Sequence, residues 1–332
     1  TQMGPVIEPA SGKLLRGLTE LGPGETWVLQ PQKLDAEGRL WSPGIRSGVQ
    51  PGSEFHLTEY FGPVLGVMRA ETLQDAVRLQ NQVDYGLTAG LHSLDPEEIS
   101  YWTGAVEAGN LYVNRGITGA IVRRQPFGGW KKSSVGAGTK AGGPNYLLGL
   151  GSWSTEASKA DAAPGEKVSA LLEQAGSASV LSSTDLGFLH RAAASDAAAW
   201  ADEYGQAKDV SGLTAERNLF RYLPVPVHVR LAEAEPLPSV LRVLSAALLA
   251  ESGVTVSVPD ALAPGITAVL AAFSCSVTVE NDAEWLSRVA GMETPPSRIR
   301  LLGGDRRALA AALGGRPDCA VYSQPVTESG RV

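Results

Sequence analysis

The sequence has few cysteines and few histidines. Its 332 residues include 2 Cys and 4 His. Two cysteines are too few for a disulfide framework and indicate a reducing compartment, so we expect a cytoplasmic protein. The histidines do not pair at the spacing of metal ligands, so we predict no metal site.

Long apolar runs are also missing. The sequence has no stretch of about 18 apolar residues, so we predict no membrane span, and its first ten residues lack the basic and apolar regions of a signal peptide. The net charge of -7 disfavours nucleic acid as the main partner. The remaining composition, 43% hydrophobic and 19% charged, is typical of a folded protein, and the length allows about two domains.

A short polar segment divides the chain. Residues 154–165 consist mainly of small and charged side chains and show no apolar periodicity, which is typical of a linker. We therefore predict a first domain over residues 1–153 and a second domain over residues 166–332.

The second domain alternates predicted strands and helices. Apolar runs predict strands at residues 179–181, 219–223, 225–231, 254–258, 277–280, 298–302 and 319–322. Helical patterns lie at residues 168–175, 186–204, 237–252, 265–273, 283–290 and 306–313. Strands that alternate with helices in this way predict an α/β fold with a doubly wound, Rossmann-like parallel sheet.

The first domain reads as irregular up to about Pro51, because Pro and Gly recur every few residues. Beyond this point, Thr72 followed by Asp75 predicts the start of a helix with a capping box. Asp95, followed by Pro and Glu, predicts a second helix start, and Gly109 predicts its end.

Two strands and one long loop complete the first domain, at residues 85–94, 111–114 and 115–143. The loop is rich in glycine. Such a long loop inside a compact domain is usually functional rather than a simple connection.

The usual phosphate-binding signatures are missing. The sequence has no Walker loop and no complete dinucleotide fingerprint after a strand. Gly303-Gly304 follows a predicted strand, but we interpret it as a tight turn. Cys275 is interpreted as structural, because it has no nearby basic residue to activate its thiol, and Cys319, which begins an apolar strand, is interpreted as a core residue. The basic pairs at residues 123–124 and 131–132 form either an anion site or an exposed polar loop.

A carboxylate and aromatic residues precede a Gly-Pro turn at residues 57–64. Glu59 can accept hydrogen bonds from sugar hydroxyls, and the ring of Phe61 can pack against a flat ligand. Aromatic residues near a turn also commonly belong to a core. The residues alone leave both interpretations open.

Four segments of the first domain resemble the aldehyde dehydrogenase superfamily. They are G-P-V-I at residues 4–7, E-Y-F-G-P-V at 59–64, G-N-L-Y-V-N at 109–114 and the loop at 116–129. The loop resembles the aldehyde-anchor loop of the L-glutamate γ-semialdehyde dehydrogenases, also called pyrroline-5-carboxylate dehydrogenases. The resemblance covers nearly all of residues 1–153.

This resemblance implies a cofactor site and a substrate site. Glu59 would hold the nicotinamide ribose of NAD, and Phe61 would pack against the nicotinamide. Backbone N–H groups around Gly119 and Ala120 would bind the α-carboxylate of glutamate semialdehyde, since glycine lets the backbone approach an anion closely. Phe127 would pack against the aliphatic part of the substrate.

The second domain resembles another part of the same group of enzymes. Residues 212–218 and 321–331 are similar to the C-terminal domain of long proline utilization A proteins, which are bifunctional enzymes of proline catabolism. The resemblance implies a non-catalytic, aldehyde-dehydrogenase-like domain, and an oligomerisation flap at residues 146–153 that makes a homo-oligomer. Val258 stands where a ribose-binding Lys would be, and Ala261 replaces a Glu. We therefore predict that this domain binds no NAD.

The expected fold is the C-terminal half of an aldehyde dehydrogenase catalytic domain with a flap, followed by the Rossmann-like domain. In the superfamily, the nucleophilic Cys and the general-base Glu precede the G-P-V-I segment. We therefore expect no catalytic residue in this chain, which alone should be inactive. We expect an N-terminal remainder of the same polypeptide to supply them, together with an FAD-dependent proline dehydrogenase that makes pyrroline-5-carboxylate. The alternative is a non-catalytic scaffold that seals a neighbouring active site or channel.

Overall fold

The computed structural model describes residues 3–121, 124–135, 139–151 and 160–330. The chain divides into two compact units, which consist of residues 1–119 with 129–133, and of residues 120–128 with 134–332. Residues 120–128, 134–135 and 139–151, which the sequence assigns to the first domain, thus belong to the second unit. The first half of the predicted linker, residues 154–159, lies outside the described residues, and the linker boundaries stay a prediction.

The first unit contains short helices and strands. Its helices are α1 (Gly12–Thr19), α2 (Glu54–Leu57), α3 (Leu73–Asn81) and α4 (Pro96–Ala105). Its strands are β1 (Thr26–Leu29), β2 (Gly44–Ser47), β3 (Val64–Val67), β4 (Tyr85–Gly86), β5 (Thr88–Leu91), β6 (Asn110–Val113) and β7 (Trp130–Lys131). Strand β2 pairs antiparallel with β1 and parallel with β3, and β5 pairs parallel with β6.

The region before Pro51 is more regular than its composition indicates. It contains α1, β1 and β2, so the prediction of an irregular region was wrong. The helix has eight residues and each strand has four. Elements this short do not show a clear apolar period between frequent Pro and Gly residues.

Side-chain caps begin two helices of the first unit at the predicted residues, but the capping box predicted at Thr72 is only half formed, because the Asp75 carboxylate accepts from the Thr72 hydroxyl instead of its backbone N–H. Thr72 Oγ1 accepts a hydrogen bond from the backbone N–H of Asp75 at 3.0 Å. Asp95 accepts one from the backbone N–H of Glu97 at 2.8 Å. These bonds satisfy N–H groups that have no partner inside the helix.

Helix α4 ends at Ala105, before the predicted stop at Gly109. The side chain of Asn81 supplies the physical reason. Its Nδ2 donates to the carbonyl of Ala105 at 2.9 Å, and its Oδ1 accepts from the backbone N–H of Glu107 at 2.9 Å. The amide therefore bonds to two backbone groups at the point where the helix gives way to extended chain.

The second unit is a layered α/β structure. Its helices are α5 (Glu166–Ser177), α6 (Ser183–Ala199), α7 (Leu237–Leu249), α8 (Pro264–Ala272), α9 (Asp282–Ala290) and α10 (Arg306–Ala312), with single turns at Tyr146–Leu150 and Trp200–Tyr204. Its strands are β8 (Lys208–Asp209), β9 (Leu219–Phe220), β10 (Val227–Leu231), β11 (Val254–Val258), β12 (Ser276–Val279), β13 (Arg298–Leu302) and β14 (Ala320–Tyr322).

Strands β10 to β14 form one parallel sheet in the order β12-β11-β10-β13-β14. His228 of β10 lies opposite Thr255 of β11 on one side and Ile299 of β13 on the other. One apolar cluster joins the sheet to α5, α6, α7 and α8, and a second joins it to α9 and α10. Full burial of a side chain such as Ile299 stabilises the fold by about 1.5–3 kcal/mol. The predicted doubly wound parallel sheet is confirmed.

The apolar runs located the central strands but not every short one. Strands β11 and β13 have the predicted bounds. The predicted strand at residues 179–181 was wrong, because Ser179 has φ 55°, a left-handed conformation that a strand does not contain. The strand predicted at residues 219–223 is shortened to β9.

Neither a membrane-spanning helix nor a metal-binding cluster occurs in the described part of the chain. Its helices are too short or too polar to cross a bilayer. Among the same residues, no group of three or more His, Cys, Asp and Glu side chains converges on a possible ion site. Both cysteines are buried and carry free thiols.

Candidate functional site

Residues 59–62 form a turn over a buried aromatic ring. The ring of Tyr60 stacks on that of Phe55, with centroids 4.6 Å apart. Burial raises the pKa of Tyr60 above its ordinary value. Leu14 packs closely against Gly62, because a Cβ there would lie 2.3 Å from Leu14 Cδ1 and the leucine would have to move. The turn is therefore fixed by packing beneath it.

A buried cation supports this aromatic pair. Arg46 Cζ lies 4.0 Å from the ring centroid of Phe55 and 4.6 Å from that of Trp27. Its guanidinium also forms an ion pair with Glu25 at 2.7 Å and donates to the carbonyl of Gly17. Loss of one partner would leave the other charge buried and unpaired, so this arrangement gives the turn a rigid base.

Glu59 and Phe61 flank the buried Tyr60, and both are exposed, Phe61 to 76%. Phe61 has φ 55°, a backbone conformation that is strained for a residue with a Cβ. The Glu59 carboxylate has no hydrogen bond or ion pair among the described residues. The turn thus presents an acceptor and an aromatic face together, as the predicted cofactor contact requires. Their roles stay predictions.

The first part of the predicted anchor loop is exposed at Gly119, whereas Ala120 is half-buried. Gly119 has φ 81°, a conformation that favours glycine. A Cβ there would meet no atom within 4 Å, so the backbone conformation rather than crowding favours glycine. Backbone N–H groups beside such a glycine can converge on an anion. Residues 122–123 lie outside the described residues.

The second part of the loop is held through its backbone. Phe127 and Ala141 exchange backbone hydrogen bonds of 3.0 and 2.9 Å. Lys140 Nζ donates to the carbonyl of Gly128 at 2.6 Å. Burial lowers the pKa of Lys140 to about 8. Phe127 remains 38% exposed, so part of its ring is accessible to a ligand.

Two further side chains join the loop to a hairpin of the same unit. Arg124 forms an ion pair with Glu216, and Gln125 Nε2 donates to Asn218 Oδ1 at 3.3 Å. Sequence reasoning did not identify Glu216 or Asn218 as loop partners. The only sequence feature that pointed to them was the resemblance of residues 212–218 to proline utilization A.

The lysines after the loop are paired within the first unit. Lys131 Nζ lies 2.6 Å from a carboxylate oxygen of Glu107, and Lys132 forms an ion pair with Asp84. Of the two interpretations of the basic pairs, these contacts favour an ordinary polar loop at residues 131–132. Arg123 lies outside the described residues.

A carboxylate stands at the carboxyl edge of the parallel sheet, just beyond the ends of the paired strands β10 and β13. A Cβ on Gly303 would lie 3.1 Å from Glu235 Oε2, and Glu235 Oε1 accepts a hydrogen bond from Ser239 Oγ at 2.7 Å. Sheets of this kind bind anionic phosphates at this edge, next to a helix N-terminus. The negative charge of Glu235 disfavours a phosphate there.

The neighbouring polar groups at this edge bond to one another. Arg230 is fully buried, forms an ion pair with Asp282 at 2.5 Å and donates to Ser257 Oγ at 2.7 Å. Val258, which replaces the expected ribose-binding Lys, is also fully buried. A lysine at this position would place a charge in the apolar core.

A cavity of about 600 Å³ lies at the opposite, amino edge of the sheet. Its lining includes His228, whose Nδ1 is 2.7 Å from Thr255 Oγ1 and whose Nε2 accepts a hydrogen bond from Trp285 at 2.9 Å. Burial is the main reason that the pKa of His228 is lowered to about 4. These contacts account for His228 as a neutral core residue.

Comparison with known proteins identifies the first part of the chain. Residues 1–150 match the model of the aldehyde dehydrogenase family. The matched residues, called here the aldehyde dehydrogenase segment after this model, are 38% identical over 149 residues to 1-pyrroline-5-carboxylate dehydrogenase of Bacillus subtilis, across 45% of this chain and 28% of that protein. They are also 38% identical over 146 residues to the Bacillus pumilus enzyme, across 44% of this chain and 28% of that protein.

The similarity extends beyond this segment in one solved structure, Proline Utilization A from Corynebacterium freiburgense. The match has a TM-score of 0.77 and 40% identity, and covers 100% of this chain and 30% of that one. The resemblance of both domains to proline utilization A is thereby confirmed. The chain spans less than one third of the length of each of these three relatives.

The predicted site residues fall into two groups. Glu59 and Phe61 share one turn of the aldehyde dehydrogenase segment, whereas Ala120 and Phe127 lie in the loop that belongs to the second unit. Lys140, which holds the backbone next to Phe127, was missed by sequence reasoning. A single lysine in a glycine-rich segment carries no sequence feature that would distinguish it.

Proposed function

We propose that this chain supplies cofactor-binding and substrate-binding segments to an enzyme that oxidises L-glutamate γ-semialdehyde to L-glutamate with NAD. The observation that carries the proposal is the 38% identity to 1-pyrroline-5-carboxylate dehydrogenase from B. subtilis. Hydrolysis of pyrroline-5-carboxylate opens its ring and gives the semialdehyde. Oxidation then converts the aldehyde to a carboxylate: water supplies the second oxygen, NAD takes up the hydride and two protons are released.

The turn at residues 59–62 fits a nicotinamide cofactor. Bound NAD supplies the hydride acceptor. The Glu59 carboxylate, which has no partner among the described residues, accepts hydrogen bonds from the two ribose hydroxyls, and the exposed ring of Phe61 packs against the nicotinamide. The buried Tyr60 anchors the backbone between Glu59 and Phe61. The entropic cost of ordering this segment when the cofactor binds is therefore smaller.

The anchor loop fits an amino-acid aldehyde. The backbone N–H groups at Gly119 and Ala120 bind the α-carboxylate, for which the positive φ of Gly119 is suited. Phe127 covers the aliphatic carbons between the carboxylate and the aldehyde. Recognition of the α-carboxylate then selects this substrate over simple aliphatic aldehydes.

The covalent step requires a nucleophile from elsewhere. Burial raises the pKa of both Cys275 and Cys319, and the thiol of Cys319 bonds to a backbone carbonyl 3.0 Å away. A buried thiol of raised pKa is a poor nucleophile. We propose that the nucleophilic Cys and the general-base Glu lie in the part of the polypeptide that the relatives carry beyond the matched region, and that this chain alone is inactive.

Further parts of the assembly are proposed by the same similarity. An FAD-dependent proline dehydrogenase module would produce pyrroline-5-carboxylate within one polypeptide, in the cytoplasm. A homo-oligomer would form through the flap at residues 146–153, where Tyr146, Leu147 and Leu150 are at least half exposed. An apolar surface of this kind is suited to burial against a second copy.

A scaffold role is the second candidate function, for the second domain. Glu235 places a negative charge at the carboxyl edge of the sheet, where related sheets bind phosphate. This charge supports a second domain that binds no dinucleotide. Such a domain would act by packing, as a seal for a neighbouring active site or channel. Both functions are compatible, because they fall on different parts of the chain.

The experiment compares this chain with the complete polypeptide. NADH formation from pyrroline-5-carboxylate is measured for each, with an unrelated aliphatic aldehyde as the specificity control. We expect turnover of the semialdehyde by the complete polypeptide only. Turnover by the isolated chain would disprove the proposed location of the nucleophile, and no turnover by the complete polypeptide would disprove the proposed reaction.

A further inference from the structure

The anchor loop is tethered by a hairpin more than 80 residues away in the sequence. The hairpin consists of β8 and β9, in which Lys208 lies opposite Phe220 and Asp209 lies opposite Leu219. Loop residues 120–128 and this hairpin belong to the same compact unit. The contacts between them are therefore a property of one packed body.

Asp209 organises the hairpin connection. Its Oδ1 accepts hydrogen bonds from the hydroxyl of Ser211 at 2.7 Å and from the backbone N–H groups of Ser211 and Gly212 at 2.9 and 3.2 Å. Its Oδ2 accepts from the backbone N–H of Asn218 at 3.1 Å. The hydrogen bond from the Ser211 hydroxyl is the main reason that the pKa of Asp209 is lowered to about 2. The carboxylate thus fixes both ends of the connection.

The ordered hairpin presents two acceptors to the loop. Asn218 Nδ2 donates to Ser211 Oγ at 3.0 Å and to Glu216 Oε1 at 3.2 Å. This orientation leaves Asn218 Oδ1 to accept from Gln125, while Glu216 pairs with Arg124. Consecutive loop residues are therefore bound by two side chains that already bond to each other.

The same loop is held from its other end. Backbone bonds join Phe127 to Ala141, and Lys140 donates to the carbonyl of Gly128. Within the loop, the backbone N–H groups of Arg124 and Gln125 both donate to the carbonyl of Ile121, at 3.0 and 2.8 Å. The segment is thus fixed on both sides of Phe127.

We propose that Glu216 and Asn218 are positioning residues for the substrate, which hold Arg124 and Gln125 so that the anchor loop is ordered before the α-carboxylate binds. This inference rests on the proposed function. Ordering a loop in advance removes an entropic cost from binding. Loss of the tether should therefore raise the KM for the semialdehyde and leave the kcat and the KM for NAD nearly unchanged.

The test uses two single variants of the complete polypeptide, Glu216→Gln and Asn218→Ala. Glu216→Gln removes the half-exposed ion pair with Arg124 and should raise the semialdehyde KM about fivefold. The double variant Arg124→Glu with Glu216→Arg reverses the ion pair and should restore part of the KM, which a general loss of stability would not do; the hydrogen bond from Asn218 to Glu216 stays lost. Glu251→Gln is the matched control, because it removes an exposed ion pair with Lys167 in the same unit.

A second measurement follows the loop directly. Hydrogen exchange of the peptide that covers residues 120–128 should be faster in Glu216→Gln than in the wild type or in Glu251→Gln. Unchanged exchange, or an unchanged semialdehyde KM in an active enzyme, overturns the positioning role. Absence of semialdehyde oxidation by the wild type defeats the proposed function instead, and the exchange measurement still decides whether the hairpin orders the loop.

Discussion

Lys140 donates a hydrogen bond from Nζ to the carbonyl oxygen of Gly128 at 2.6 Å, one residue beyond Phe127. A Cβ on Gly128 would lie 2.9 Å from Lys140 Cγ, so the lysine stem also packs closely against this backbone. Phe127, the predicted contact of the substrate's aliphatic part, thus lies next to a backbone carbonyl that the half-buried Lys140 holds.

Lys140 should make stability depend on pH in the alkaline range. Its folded-state pKa of about 8 lies below the ordinary value of 10.5, so the unfolded chain binds more protons between these values. Its contribution to stability is therefore complete above pH 10.5 and is lost as the pH falls to about 8. The free energy of unfolding, measured with urea, should rise with pH across this window in the wild type, and Lys140→Met should remove that rise. The exposed Lys13→Met should retain the rise, and an equal slope in both variants would contradict the assignment.

His228 should also make the folded state less stable as the pH falls, but in a lower pH range. Burial lowers its pKa from 6.5 to about 4, so its contribution is present above pH 6.5 and is lost as the pH falls toward 4. The full effect is on the order of 3 kcal/mol. His228→Gln should flatten the decline of unfolding free energy in this window, whereas the exposed His92→Gln should not. The interpretation fails if His228→Gln leaves the decline intact.

A buried ion pair fixes the C-terminal segment. Arg242 forms two hydrogen bonds to the carboxylate of Asp196, at 2.6 and 2.7 Å, and a third to the carbonyl of Thr327 at 2.9 Å. Arg242→Met should lower the unfolding free energy by about 3–5 kcal/mol, because it leaves Asp196 buried and unpaired. Arg316→Met, which removes a more exposed pair with Asp318, should cost about 1 kcal/mol or less. Equal losses in the two variants would refute this account.

The sequence located the parts of the fold that depend on apolar runs. Strands at residues 254–258 and 298–302 and the start of α4 at Asp95 needed only local patterns. The tether between Arg124 and Glu216 was beyond such reasoning, because it joins residues 92 positions apart through polar side chains that are common on surfaces. The exposed Glu59 and Phe61 were an intermediate case. Their local pattern left two interpretations open, and only the family resemblance favoured a cofactor site.

Gly119 should be sensitive to backbone conformation rather than to size. Gly119→Val forces a β-branched residue to adopt φ 81°, which disfavours the native loop and should raise the semialdehyde KM. Gly116→Val is the control, because a Cβ at Gly116 also meets no atom within 4 Å and the residue is not among those with positive φ. Steady-state kinetics gives the semialdehyde KM of both variants, and we expect an increase only in Gly119→Val. Equal KM values in the two variants would refute the assignment of Gly119.

Residues 59–62 are proposed to bind the cofactor of a semialdehyde dehydrogenase. The most direct measurement is the KM for NAD of the complete polypeptide, with pyrroline-5-carboxylate as the source of substrate, for wild type and Glu59→Gln. Glu71→Gln serves as the exposed control. Loss of the charge on a ribose acceptor should raise the KM for NAD about tenfold in Glu59→Gln alone. A KM for NAD that is unchanged in Glu59→Gln would contradict cofactor binding by these residues.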